Sequence, residues 1–225
     1  MTPAGAVTAV AVLMDFDGLL CDTERAAHQS WQNLYGRYGL AFPDEVWSVM
    51  MGRATGESYA AQDLSRRLDR DLTASELQER RRDKQRLASA EPLRPGVARL
   101  LESAGSQGIA CAVVSSSERT WVHGHLERLQ VRERFDHVVT GEQVRARKPA
   151  PDLYLRAMQL LDAGPDGCLA LEDSATGVAA AKAAGLRCVA VPGARGSRSG
   201  LDAADLVLDS LEHLSTTKPK KVRSV

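Results

Sequence analysis

The sequence predicts an α/β fold, a parallel sheet flanked by helices and interrupted once by an all-helical insert. Three observations carry this. Apolar, β-branched runs of strand length recur along the chain. Helical patterns alternate with them. One stretch, residues 19–94, breaks the alternation.

Residues 7–14 are the first candidate strand and stop at Asp15-Phe16-Asp17-Gly18. A second run, 109–114, ends in Ser115-Ser116-Ser117, and a third, 136–140, ends at Gly141. The fourth, 168–171, runs into Glu172-Asp173, and the fifth, 186–191, is closed by Pro192-Gly193. A short sixth lies at 205–208. Helical patterns fill 97–107, 118–129, 151–162 and 175–184, the last ending at Gly185, a favourable C-terminal stop. Strands alternating with helices imply right-handed parallel crossovers. Within 19–94 there is no strand pattern, and Leu64, Leu68, Leu72 and Leu77 recur at near-helical spacing. The expected organisation is a core of residues 1–18 and 95–214, a helical domain at 19–94, and a disordered basic tail at 215–225.

Lys plus Arg and Asp plus Glu both number 29, so the net charge is zero. No global field favours nucleic acid or a membrane, and neither partner is expected. Aromatic residues are only 4%, which leaves the core to aliphatic side chains and Ala. The four cysteines form no C-x-x-C pair and have no His at zinc spacing. They are expected as reduced core thiols of a cytoplasmic protein. Residues 1–13 carry no basic segment of a signal peptide, and no apolar run approaches the ~20 residues that span a bilayer. No coiled-coil pattern appears, so a monomer is expected. The charge run at 79–86 (ERRRDKQR) reads as a solvated helix face, and Trp31 and Trp47 read as packing within the insert. No G-x-G-x-x-G follows a strand, so no nucleotide cofactor is assigned.

Open parallel sheets bind ligands at the C-terminal ends of their strands. Asp15 and Asp17 follow the first strand, Ser115 the second and Glu172-Asp173 the fourth, with Lys148 in the loop after the third. Carboxylates converging on one crevice repel each other unless a cation lies between them. An all-oxygen set without His or Cys favours Mg²⁺. Phosphoryl transfer suits such a crevice. Mg²⁺ and Lys148 would offset the repulsion between a phosphate dianion and a carboxylate nucleophile. Ser115 and the backbone N–H groups after it could hold phosphoryl oxygens at a helix N-terminus. One carboxylate could attack while the other handles the proton.

Four segments occur in a recognisable order: DFDGLLCDTE (15–24), VVSSS (113–117), KPAPDLY (148–154) and LEDSATGVAAAKAAG (171–185). Over residues 8–214 the chain resembles the haloacid dehalogenase superfamily, in its β-phosphoglucomutase-like and phosphatase branch. The resemblance implies a Rossmann-like core with a small α-helical cap domain inserted after the first segment. It makes Asp15 the nucleophile that becomes an aspartyl-phosphate and Asp17 the general acid and base. It gives Ser115, Ser116 and Lys148 the phosphoryl group. It assigns Mg²⁺ to Asp15, the Asp17 backbone carbonyl and Asp173, with Glu172 in the same acidic pair. Asp22-Thr23 would form the hinge, and Gly52 and Arg53 would face the substrate from the cap. Dehalogenating members lack an acid two residues after the nucleophile. Asp17 fits the cleavage of phosphate esters, whose alkoxide leaving group needs a proton.

β-Phosphoglucomutase would place a His five residues after Asp22 and an Arg in the loop after Gly52. Here those positions hold Ala27 and Thr55, with His28 one residue displaced and Arg53 close to Gly52. A sugar bisphosphate needs a cation for its distal phosphate, so the expectation is hydrolysis. The substrate would be a small phosphorylated metabolite, such as a sugar phosphate or nucleotide. Intramolecular phosphoryl transfer is the enzyme alternative, and a non-catalytic binding protein is the other. Arg147 stands where relatives often have Gly, and is expected to point to solvent.

Overall fold

The computed structural model describes residues 6–50, 56–193 and 198–219. In chain order the elements are β1 (Ala6–Thr8), β2 (Ala11–Met14), α1 (Thr23–Gly36), α2 (Asp44–Met50), α3 (Gly56–Leu68), α4 (Ala74–Ala88), α5 (Val97–Gln107), β3 (Ala110–Val114), α6 (Arg119–Arg128), β4 (His137–Val139), α7 (Asp152–Leu160), β5 (Cys168–Glu172), α8 (Ala175–Ala183), β6 (Arg187–Ala190), β7 (Leu206–Val207) and β8 (Ser215–Thr217). Six strands form one parallel sheet in the order β4-β3-β2-β5-β6-β7. This is the parallel α/β sheet the alternating pattern implies, in the Rossmann-like form the resemblance implies.

β2 lies between β3 and β5, and all four of its residues are buried. Strand periodicity explains its two-sided apolar character. Val12 and Met14 face a layer that includes Leu100 and Leu101 of α5 and Leu126 of α6. Ala11 and Leu13 face Leu153 and Tyr154 of α7 and Val178 of α8. Each buried Leu or Val stabilises the fold by about 1.5–3 kcal/mol. The central position pairs β2 on both sides, and Asp15 leaves its C-terminal end.

The first predicted strand divides. Its beginning, β1, leaves the main sheet and pairs in parallel with β8. This corrects the expected tail, since Ser215–Thr217 is ordered as a strand. The reason is hydrogen bonding: Ala9 N donates to the Thr217 carbonyl at 2.9 Å, and Gln107 Nε2 donates to the Thr216 carbonyl at 2.9 Å. Residues 220–225 of that tail lie outside the described residues.

Among the described residues between β2 and α5, four helices surround a separate apolar cluster, in which Trp31, Tyr35, Phe42, Trp47 and Leu64 are buried. Leu68, Leu72 and Leu77 pack against it. α4 starts in a capping box, Thr73 with Glu76. The charge run on α4 is not a uniformly solvated face. Arg80 is 3% exposed, its Nη2 lies 2.7 Å from Glu57, and its guanidinium stacks 4.7 Å above the Trp31 ring. The return linker is tied to the core by Arg94, which donates to the carbonyls of Gly18, Val191 and Pro192. Among the described residues no helix is long and apolar enough to cross a membrane.

Two consequences can be measured. Gly18 has φ +83°, and a Cβ there would stand 1.9 Å from Asp173 Oδ2. Gly18→Ala is therefore expected to lower stability by about 1–3 kcal/mol in urea unfolding, and an unchanged midpoint would contradict this contact. All four thiols are buried, and burial pushes Cys21 up to about 11 and Cys111 up to about 12. The folded protein should leave dithionitrobenzoate unreacted at pH 8 and release four thiols on denaturation; stoichiometric labelling of the native protein would refute it.

Candidate active site

Asp15 is fixed at the end of β2 by its own backbone, whose N–H donates to the Leu171 carbonyl of β5 at 3.0 Å. The same strand pairing brings Glu172 and Asp173 alongside it. Lys148 reaches in from the loop after β4, through a cis peptide bond to Pro149. Its Nζ donates to Asp15 Oδ1 at 2.5 Å, Glu172 Oε1 at 2.6 Å and the Val114 carbonyl at 2.8 Å. Tyr154 donates to the same Glu172 oxygen at 2.5 Å.

Burial pushes the carboxyls of Asp15 and Asp173 well above the usual carboxylate range, and their neighbouring acids add to it. Burial alone would depress the Lys148 ammonium, but Asp15 and Glu172 hold it above its ordinary value. The set therefore carries more acid than one lysine balances. Oxygens of Asp15, Glu172 and Asp173 all lie within 4.8 Å of one another. Glu172 Oε2 is buried without a hydrogen-bond partner and rests against Gly177, where a Cβ would be 1.9 Å away. Hard oxygen donors, excess acid and an unpaired buried oxygen fit a divalent cation such as Mg²⁺. The Asp17 side chain is not part of this triad.

Asp17 turns instead toward the serine loop. Its Oδ1 accepts from Thr23 Oγ1 and Trp121 Nε1, both at 2.8 Å. Its Oδ2 accepts from Ser117 Oγ at 2.6 Å and Ser115 Oγ at 3.4 Å. Ser116 lines the same crevice, and its Oγ is buried without a partner.

The crevice opens into a pocket of about 330 Å³ between the sheet edge and the helical insert. Asp15, Asp17, Ser115, Ser116, Lys148 and Asp173 line its floor. Glu24, Ala27, Trp47, Glu57 and Lys84 line the opposite side. Trp47 thus both packs in the insert and walls the pocket. Burial raises Glu24 to about 7, with Lys84 opposing the shift. Arg147 is exposed at the pocket rim. Gly52 and Arg53 lie outside the described residues.

Sequence reasoning brought Asp15, Asp17, Ser115, Lys148, Glu172 and Asp173 to this edge. It missed Tyr154, Trp121, Glu24 and Lys84. Tyr154 stands inside a quoted segment, six residues after Lys148 and in the first turn of α7. Trp121 carries a weaker signal, a lone indole on the helix that follows the serine loop.

A family model described as haloacid dehalogenase-like hydrolase matches residues 12–191. YhcW of Bacillus subtilis (strain 168) is 37% identical over 81% of this chain and 83% of its own length. Hexitol phosphatase A of Escherichia coli (strain K12) is 33% identical over 92% of this chain and 93% of its own. β-Phosphoglucomutase of Bacillus subtilis (strain 168) is 30% identical over 91% of each. Among solved structures, a haloacid dehalogenase family hydrolase from Deinococcus radiodurans R1, with bound phosphate and sodium, has a TM-score of 0.77. It is 28% identical and covers 90% of this chain and 92% of that one. Fold, sheet-edge acids and sequence agree, and the chain belongs to the haloacid dehalogenase-like hydrolase family.

Proposed function

We propose that this enzyme is a Mg²⁺-dependent phosphatase that hydrolyses a small phosphomonoester through an aspartyl-phosphate on Asp15. The observation that carries the reading is the pairing of Asp15 with Lys148 at 2.5 Å, beside a second acid, Asp17, held entirely by neutral donors. Two carboxylates in such different surroundings suit two different tasks.

In this reading Asp15 attacks phosphorus, and Lys148 orients the attacking carboxylate and balances charge as the phosphoryl group arrives. Ser115 and Ser116 offer hydroxyls to the phosphoryl oxygens. Asp17 gives a proton to the departing alkoxide oxygen, then takes one from the water that cleaves the acyl phosphate. Asp15, Glu172 and Asp173 would hold Mg²⁺, whose charge lowers the repulsion between the dianion and Asp15. The helical insert covers the pocket and limits entry of bulk water.

Hydrolysis is favoured over phosphoryl transfer within one sugar by the insert. Ala27 lines the pocket, while His28 packs against Phe42 and Trp47 at 5.5 Å and 4.9 Å between ring centroids. The substrate class we favour is a sugar or polyol phosphate, in keeping with the phosphatase relative named above.

The test is phosphate release from a panel of sugar phosphates, polyol phosphates, nucleotides and phosphoglycolate, with Mg²⁺ and with EDTA. The panel includes β-glucose 1-phosphate with and without glucose 1,6-bisphosphate. Mg²⁺-dependent release is expected, and isomerised product without free phosphate would overturn hydrolysis. Asp15→Asn should reduce turnover about a thousandfold or more while the circular dichroism spectrum is unchanged. Undiminished turnover would remove Asp15 as nucleophile. Saturating Mg²⁺, at about 100 times its Kd, should stabilise the folded protein by about 2.7 kcal/mol. Asp173→Asn should weaken that response, and an identical gain in the variant would exclude Asp173 as a ligand.

A further inference from the structure

We propose that Trp121 is a positioning residue for Asp17, anchoring the carboxylate that delivers the proton to the leaving group. This rests on the phosphatase reading above and extends it to a residue outside the shared segments.

Four donors surround the Asp17 carboxylate, and three of them are hydroxyls, on Thr23, Ser115 and Ser117. A hydroxyl can rotate and either donate or accept. An indole N–H can only donate. The Trp121 Nε1–H sits 2.8 Å from Oδ1 and cannot turn round to accept a proton from that oxygen. The indole N–H therefore holds Oδ1 from a fixed direction, while the hydroxyls around the carboxylate can reorient. Oδ2 is the oxygen beside Ser115 and Ser117, on the side of the serine loop. The proton passes from Asp17 to the ester oxygen as Asp15 bonds to phosphorus and the phosphorus–oxygen ester bond breaks, and Asp17 is left as a carboxylate.

The indole is itself held from two sides. The His125 ring packs against it with centroids 4.4 Å apart. Lys84, from α4 of the insert, places its ammonium 5.3 Å from the ring centroid. One side chain thus touches both the acid and the insert that covers the pocket.

A leaving group that needs no proton separates this role from general damage. p-Nitrophenolate departs unprotonated, whereas an alkoxide does not. Trp121→Phe keeps a ring between His125 and Lys84 but deletes the N–H. It should lower kcat/KM about tenfold for the best alkyl phosphate of the panel. For p-nitrophenyl phosphate, kcat/KM should stay within about twofold, since that step needs no general acid. Trp121→His places an imidazole N–H where the pyrrole half of the indole had its own. It should restore the alkyl ester to within about threefold of the unaltered protein. Equal losses on both esters, or no loss on either, would overturn the proposal while leaving the phosphatase reading intact. Should the Phe variant be recovered unfolded, the His variant decides alone: a folded His variant equally impaired on both esters overturns it. Absence of turnover by the unaltered protein on every phosphomonoester would sink the functional reading, and this one with it.

Discussion

Three carboxylates buried at one sheet edge, balanced by a single ammonium, are the constraint from which the rest of the site follows. Asp15, Glu172 and Asp173 cannot share a dry crevice as anions without compensation. Lys148 compensates two of them and also satisfies the Val114 carbonyl, so one side chain ties β2, β3 and β5 together. Breaking such a buried pair by removing one partner generally costs about 3–5 kcal/mol, because the surviving charge is stranded. The residual negative charge makes the crevice a place for a cation rather than a packing defect. Backbone geometry serves the same end. Gly18 and Gly177 lack a Cβ where one would meet Asp173 and Glu172.

The insert answers a different requirement, closing the pocket without filling it. Its helices hold together through their own aromatic cluster and through Arg80, which bridges Glu57 and the Trp31 face from within. Its two connecting segments are tied to each other and, on the return side, to the core. Arg25 pairs with Glu91, and Arg128 of α6 reaches the Ala88 carbonyl at the end of α4. Those contacts lie beside the linkers and away from the pocket floor, so the covering helices are anchored where they join the core. The pocket wall they present is mixed, with Glu24, Glu57, Lys84 and the edge of Trp47. Such a wall can meet the hydroxyls of a neutral leaving group.

The sheet and its acids were legible because both signals are local. A buried parallel strand reads as an apolar run, and functional groups follow its C-terminal end at a fixed offset. Lys148 was legible only in its company of Pro149, Pro151 and Asp152; alone it would be a solvated lysine. What escaped depends on phase and partners. The run at 79–86 looks solvated by composition, yet helical phase turns Arg80 onto Trp31 and Lys84 toward the pocket. The segment after Leu214 looks disordered by composition, yet β1 offers it a row of backbone donors and acceptors. Trp121 reads as an ordinary amphipathic-helix residue until Asp17 is placed against its N–H. Each of these depends on contacts between residues far apart in the chain, which composition does not encode.

A single step of helical phase bears on what the pocket can hold. Successive residues on an α-helix are turned by about 100°. In α1, Ala27 therefore faces the pocket while His28, the next residue, is 3% exposed and lies among aromatic rings. Moving the imidazole to the pocket side would put a hydrogen-bonding cation where a methyl group now stands. A distal phosphate held at that point would need cationic partners beyond Ala27 and the neighbouring Glu24, and Lys84 is among those described on this wall. A neutral hydroxylated leaving group has no such need. The displacement of one histidine by one residue thus supports the proposed loss of a single phosphate to water over transfer between two phosphate positions.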